Sequence, residues 1–252
     1  MDVPELERYA RHVQLAEIGP AGQDALCAAK VFVVGAGGLG SPVLMYLAAA
    51  GIGEITICDF DRVELSNLQR QIVHTSTSIG ADKVDSAALT IARLNPRVNV
   101  RTIGWAIDGE DLIGEVQRAD VVVDASDNFE TRFALNRACV QTQTPLVSGA
   151  AIRFEGQIFV VDPSKPGTPC YRCLYEEAGD PDEPCALVGV LSPLLGVIGS
   201  VQAMEVIKIV LGLDGTLVGR LVRFDALTAR WRESTVRQDP SCPVCCAASA
   251  QP

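Results

Sequence analysis

The sequence predicts an α/β fold, a mixed but mostly parallel sheet with helices on both faces, and three observations carry that prediction. Short β-branched runs recur as VFVV (31–34), ITIC (55–58) and VVVD (121–124), the continuous apolar pattern of strands covered on both faces. Helical patterns of about ten or more residues separate them, as parallel strands need crossover connections. Glycines at 35, 37, 38 and 40 stand between the first run and the helix after it. Strand, glycine turn and helix in that order make the fold Rossmann-like.

Each element follows in turn. Val31–Val34 leads through the glycines into a small-residue helix, Ser41–Ala50, and Ile55–Cys58 is a second buried strand. A helical pattern covers Lys83–Leu94 and stops at Asn95-Pro96, because the residue before proline is driven out of the helical region. Val98–Thr102 is a strand, Asp111–Arg118 a helix, Val121–Asp124 a buried strand and Glu130–Gln141 a helix, and Pro145–Ser148 opens another strand. After Ala150 the rhythm changes. Gln157–Val161 and Leu221–Asp225 are strands, with a helix near Leu194–Leu211 between them. The whole chain, 1–252, is expected to form one domain, with a nucleotide-binding part over about 28–150 and a C-terminal elaboration over about 151–252.

Composition narrows the function. With 48% hydrophobic and 21% charged residues the chain is ordinary globular material, and 252 residues suffice for a large core. Acidic residues outnumber basic ones 31 to 21, a net charge of -10, which argues against a nucleic-acid partner but not against a small anion in a local basic pocket. Two histidines leave little for imidazole catalysis. The start, MDVPELERYARH, carries charges where a signal peptide needs an apolar run, so a cytoplasmic, reducing setting is expected. The charge-free stretch from Ala186 to Met204 is interrupted by Gly189, Pro193, Gly196 and Gly199 and followed by Glu205 and Lys208. It is expected to be a buried helix under a loop rather than a membrane span.

Gly35, Gly37 and Gly40 form G-x-G-x-x-G, whose bare backbone lets a phosphate approach the helix N-terminus. Asp59 follows the second strand, 19 residues beyond Gly40, where a carboxylate would accept from ribose hydroxyls; a helix cap or surface carboxylate is the plainer alternative. Arg70 and Lys83 are suited to neutralising a triphosphate, and Asp127, past the end of VVVD, to a Mg2+ that it shares with phosphates. Singly, each is equally a solvated loop charge. Grouped around one glycine turn, they describe a nucleoside triphosphate site rather than a dinucleotide site. Cys170-x-x-Cys173 and Cys242-x-x-Cys245 suit a closed tetrahedral zinc site that pins the C-terminal tail to the body, two redox pairs being the rival reading. Cys27, Cys58 and Cys139 are expected in the core, and Cys246 need not bind metal. Cys185 sits in a loop rich in glycine, proline and acidic residues that begins EEAGDPDEP at Glu176, a loop able to close over an incoming peptide tail.

The ordered string GAGGLG (35–40), DFDRVELSNLQRQ (59–71), Lys83 and DASDN (124–128) resembles the MoeB/ThiF group of the ubiquitin-activating-enzyme superfamily, from Arg8-Tyr9-Ala10-Arg11 to Cys245. That resemblance implies ATP-dependent adenylation of the C-terminal Gly-Gly of a ubiquitin-like sulfur-carrier protein. It implies that Gly35, Gly37, Gly38, Gly40, Asp59, Asp61, Asn67, Arg70, Lys83, Asp127 and Asn128 bind the nucleotide, with Asp59 on the ribose, Asn67, Arg70 and Lys83 on phosphates, and Asp127 on Mg2+. It also implies a homodimer, in which Arg11 acts in the partner's site, and structural zinc on the four CxxC cysteines. In the thiamine branch, a cysteine placed like Cys185 joins covalently to the carrier; an unreactive loop thiol is the alternative. Gly149-Ala150-Ala151-Ile152-Arg153-Phe154-Glu155-Gly156-Gln157 lies closer to the molybdopterin branch, while Trp231-Arg232-Glu233 and Cys242-Pro243-Val244-Cys245 suit the thiamine branch as well. The molybdopterin-synthase carrier is favoured, with sulfur supplied by a separate protein. A nicotinamide-dependent oxidoreductase and a non-catalytic zinc-stapled adaptor are the competing classes.

Overall fold

The computed structural model describes residues 7–177 and 189–246. Cys185, and most of the loop that holds it, lie outside the described residues. In chain order the elements are α1 (Ala10–Val13), α2 (Gly19–Ala28), β1 (Lys30–Val34), α3 (Gly40–Ala50), β2 (Glu54–Cys58), α4 (Lys83–Leu94), β3 (Asn99–Ile103), α5 (Gly109–Arg118), β4 (Val121–Asp124), α6 (Phe129–Thr142), β5 (Leu146–Ile152), β6 (Glu155–Val161), α7 (Tyr171–Leu174), α8 (Ser192–Val210), β7 (Arg220–Asp225) and β8 (Arg230–Thr235). The strands form one sheet in the order β3-β2-β1-β4-β5-β6-β7-β8. Pairings from β3 to β5 are parallel and those from β5 to β8 antiparallel. The expected mixed, mostly parallel α/β sheet is therefore present.

The apolar runs work as strands because alternate side chains feed two separate cores. Val31, Val33, Ile55, Ile57, Val121 and Val123 pack beneath α3, α4 and α8. Phe32, Cys58 and Val122 point the other way, to Leu112 of α5 and to Phe133 and Leu135 of α6. Strand polarity reverses at a tight hairpin, where Arg153 takes φ +53° between β5 and β6.

α8 is 19 residues long and apolar enough to cross a membrane, yet its packing is that of a core helix. Leu194, Leu195 and Ile198 enter the core under β5 and β6. Gly199 lets it close on α3, since a Cβ there would stand 2.5 Å from Pro42 Cγ. Two of its buried side chains bond into the body: Gln202 Nε2 donates to the carbonyl of Asp124 (2.8 Å), and Glu205 accepts from the amide of Leu217 (2.7 Å). The expected buried helix is thus present over Ser192–Val210.

Besides the short helices α1 and α7, three elements differ from the sequence reading. β5 runs on to Ile152, making the 149–157 segment a hairpin. α2 is an additional helix, entered through Gly19 at φ +58°. β8 has all six residues exposed, so its RWREST sequence carries no apolar alternation.

Candidate active site at the carboxyl edge of the parallel strands

β1 and β4 are neighbours although five elements lie between them in the chain: the path runs outward from β1 through β2 to β3, then crosses back to β4 on the other side of β1, and a crevice opens at the carboxyl ends of β1 and β4. The glycine turn lies in it. Gly35 has φ +97°, and a Cβ there would fall 2.6 Å from the carbonyl oxygen of Ala125, after β4. At Gly40 a Cβ would fall 1.9 Å from the carbonyl oxygen of Gly35, so this glycine packs the start of α3 against the turn.

A cavity of about 580 Å³ occupies the crevice, bordered by Gly35, Gly37 and Gly38 together with Asp59, Asp61, Arg70, Lys83, Asp127 and Asn128. Residues scattered from 35 to 128 thus meet in one place. Apolar walls from Val34, Ile107, Leu112 and Leu135 border the same space and suit a planar base.

The polar groups are fixed by hydrogen bonds within the chain. Asp59 Oδ2 accepts from the amide of Ala36 (2.8 Å) and its Oδ1 from the amide of Asp61 (2.9 Å). Lys83 is almost wholly buried and is paired with Asp61 Oδ2 at 2.7 Å. Arg70 Nη1 donates to the carbonyl of Ser66 (3.2 Å), and Asn128 caps α6 by accepting from the amide of Thr131 (2.9 Å). Asp127 is exposed at the rim.

Three expected site residues do not border this cavity. Gly40 lies beneath the turn, Asn67 is half-buried and accepts from the amide of Glu64 (3.0 Å), and Arg11 is exposed on α1, its Nη1 donating to Gln14 Oε1 at 3.4 Å.

Sequence reasoning missed Arg132, which borders the cavity and is 7% exposed. Its Nη2 donates to the carbonyl of Ser126 (2.9 Å), its Nε lies 3.8 Å from Asp124 Oδ2, and its guanidinium covers the Phe129 ring. Asp124 is fully buried and accepts from both hydroxyls of Ser126 and Ser148 at 2.6 Å. Tyr171 receives the Nη1 of Arg132 at 3.5 Å, and burial pushes its phenol up to about 12 against the pull of that cation. An arginine in the first turn of a helix gives no sequence signal of its own. His74 was also missed and lies behind the glycine turn.

The two CxxC pairs converge beside α6, with all four Sγ atoms within 4.8 Å of one another. Cys170 and Cys242 stand 3.7 Å apart, and Cys173 and Cys245 3.5 Å. Four thiolates at about 2.3 Å from a tetrahedral zinc lie roughly 3.8 Å from each other, so the spacing fits a closed metal site and is too long for disulfides. The amide of Asp239 donates to Cys173 Sγ (3.4 Å) and Asn136 Nδ2 to Cys170 Sγ (3.6 Å), giving the thiols outer support. Cys246 turns away to the carbonyl of Asp239 (3.1 Å). Cys58 and Cys139 are core thiols as expected, burial pushing Cys58 up to about 12, while Cys27 is only half-buried.

The described chain matches the ThiF family over residues 9–244. It is 43% identical over 241 residues to the molybdopterin-synthase adenylyltransferase of Escherichia coli K12, covering 96% of each chain. It is 40% identical over 253 residues to the sulfur carrier protein ThiS adenylyltransferase of the same organism, covering all of both. Among solved structures, E. coli MccB with AMPCPP and MccA superposes with a TM-score of 0.82 at 26% identity, over 96% of this chain and 74% of that one. The MoeB/ThiF resemblance read from the motifs therefore holds: the chain belongs to the ThiF family, and it is an enzyme, a nucleotidyltransferase.

Proposed function

We propose that this enzyme uses ATP to adenylate the C-terminal glycine of a ubiquitin-like sulfur carrier, releasing pyrophosphate, and that the carrier is the one serving molybdopterin synthase. The observation that carries the reading is the meeting of Arg70, Lys83 and Asp127 beside the glycine turn in a ThiF-family chain. In the reaction a carboxylate oxygen of the carrier attacks the α-phosphorus. The bond from that phosphorus to the pyrophosphate oxygen breaks as the acyl-phosphate bond forms. The nucleophile is already ionised at neutral pH, so no general base is needed, in keeping with a cavity bordered by no histidine. The work is charge neutralisation and alignment. Lys83, preset by Asp61, and Arg70 supply cations toward the phosphates.

Magnesium, when bound, spreads the charge of the leaving pyrophosphate, and the exposed carboxylate of Asp127 is the hard oxygen ligand suited to it. Arg11, exposed and outside its own chain's cavity, fits a role in the second site of a homodimer. The four cysteines fit structural Zn2+. Sulfur would come from a separate donor. The thiamine-pathway carrier is the second reading, supported by the full-length similarity to the ThiS adenylyltransferase.

ATP–pyrophosphate exchange tests both. Exchange should require a carrier ending in Gly-Gly and proceed with the molybdopterin-synthase carrier. Exchange with the thiamine carrier alone would transfer the reading to that pathway, and exchange with neither would remove it.

A further inference from the structure

Of the chain's two histidines, His74 is 5% exposed and outside the cavity lining, yet it touches both elements that flank the triphosphate end of the site. Its Nε2 lies 2.9 Å from the carbonyl oxygen of Ala36, the middle of the glycine turn. Its Nδ1 lies 2.9 Å from Ser86 Oγ, one turn into the helix that begins with Lys83. A carbonyl only accepts, so Nε2 carries the proton, and in the neutral ring Nδ1 accepts from the Ser86 hydroxyl.

These two bonds complete a closed circuit. Ala36 donates through its amide to Asp59, and Asp59 accepts from the amide of Asp61. Asp61 pairs with Lys83, which heads the helix bearing Ser86, and the Ser86 hydroxyl leads back through His74 to the carbonyl of Ala36. The peptide that forms the phosphate turn is thus gripped on both sides, by a carboxylate at its amide and by an imidazole at its carbonyl.

We propose that His74 is a positioning residue for adenylation, a neutral Nε2–H strut that sets the spacing between the glycine turn and Lys83 across the triphosphate. This rests on the ATP reading given above. The ring is suited to the task because it offers one donor and one acceptor on opposite sides at a fixed separation, which no other single side chain does rigidly. Burial lowers its proton affinity, and the nearby Lys83 ammonium adds to this, against the opposing pull of the Ala36 carbonyl and of Asp59. Those two side chains are the charged groups facing it from α4 and from the end of β2, and the glycine turn contributes none.

The test compares His74→Leu, His74→Gln and Ser86→Ala in the full-length protein. Adenosine and ATP binding would be measured by ligand-observed NMR and calorimetry, with imidazole nitrogen NMR on the wild type. The nitrogen spectrum should show a neutral ring protonated at Nε2 at pH 7. His74→Leu should weaken ATP binding at least tenfold while changing adenosine binding less than twofold. His74→Gln, whose amide can still donate to the Ala36 carbonyl, should recover most of the loss. Ser86→Ala, which leaves that donor in place, should fall between, and it keeps the test open if the leucine variant does not fold. Equal losses for adenosine and ATP, unchanged ATP binding in all three variants, or an Nδ1–H ring would each overturn the strut. A wild type that binds adenosine and ATP equally would defeat the underlying ATP reading instead, and would be recognised before any variant is made.

Discussion

The parallel and antiparallel halves of the sheet are held in place by different means. Between β3 and β5 the carboxyl edge is shaped by backbone geometry and by groups that already have partners, such as Asp59 on two amides and Lys83 on Asp61. Beyond β6 the tail after β8 meets the body at four sulfurs, on residues 72 apart within each close pair. Four thiols within 4.8 Å of one another would repel once ionised, so a cation bound among them would add to the hold on the tail. The nucleotide end is pre-organised by bonds within the chain, whereas the thiol end presents the donor set of a metal site. Emptying the first should cost activity and little stability. Emptying the second should cost stability first.

The largest effect expected is from metal removal. Structural zinc in small peptides contributes on the order of 10 kcal/mol, but here two apolar cores exist without it, so about 3–5 kcal/mol is expected. At roughly 2–4 °C per kcal/mol for a chain of this size, chelation should lower Tm by about 6–20 °C. Amide exchange should rise first around 239–246 and α7 while β1 and β4 stay protected. Uniform loosening across the sheet would mean that the two halves are not separable in this way.

The converse experiment removes charge from the nucleotide end. Asp127→Ala should reduce ATP–pyrophosphate exchange by about 10²- to 10³-fold, the usual scale for losing one preorganised charge partner in a transition state. Tm should shift by less than a degree or two, because the side chain is exposed. Retained exchange would dismiss the metal role. A large fall in Tm would show that this edge is not independent of its charges.

Gly40→Ala affects pre-organisation itself. The added methyl would meet the Gly35 carbonyl at 1.9 Å, and backbone cannot rotate aside as a side chain would. About 3 kcal/mol of destabilisation is expected, the upper range for overpacking, with loss of ATP binding as the turn is displaced. Urea denaturation and calorimetry would check both, and an unchanged variant would mean that the turn yields more readily than its contacts suggest.

The same contrast decides what could be read from sequence. β1, β2 and β4 were legible because buried parallel strands must be continuously apolar, and the glycine turn because only glycine fits between Ala125 and α3. The CxxC pairs were legible because two thiol pairs, each with two residues between its cysteines, form a recognisable metal-ligand spacing. β8 was not legible, since an exposed edge strand of arginine, tryptophan and glutamate needs no alternation. Nor were His74 and Arg132. Each acts through atoms brought near by the fold, Ala36 at 38 residues' distance for one and Tyr171 at 39 for the other, and a lone side chain with distant partners leaves no spacing to detect. The scarcity of histidines spoke only to imidazole catalysis and left a packing role such as that of His74 unaddressed.

The smallest effect belongs to an ion pair within the parallel half. Arg101 on β3 grips Glu115 on α5 with two bonds, 2.9 and 3.0 Å, and also reaches Thr56 Oγ1 at 3.3 Å. The Arg101 side chain is 32% exposed and that of Glu115 19%, so water screens the pair and about 0.5–1 kcal/mol is its expected worth. The hydrogen bonds from Arg101 hold the Glu115 carboxyl below its ordinary 4.5, against the opposing effect of burial. A carboxyl lowered in the folded state adds stability that is present above 4.5 and lost as pH falls through the folded value. The hydrogen bond to Glu115 raises Arg101 further, so it stays charged throughout that window. Arg101→Gln should therefore trail the wild type by about 0.5–1 kcal/mol in urea at pH 7. The gap should close as pH drops below 4.5. A gap that stayed constant down to pH 3 would show that the arginine supports β3 through its contact with Thr56 rather than through its charge, placing even this exposed edge under the same uncharged, chain-built control as the glycine turn.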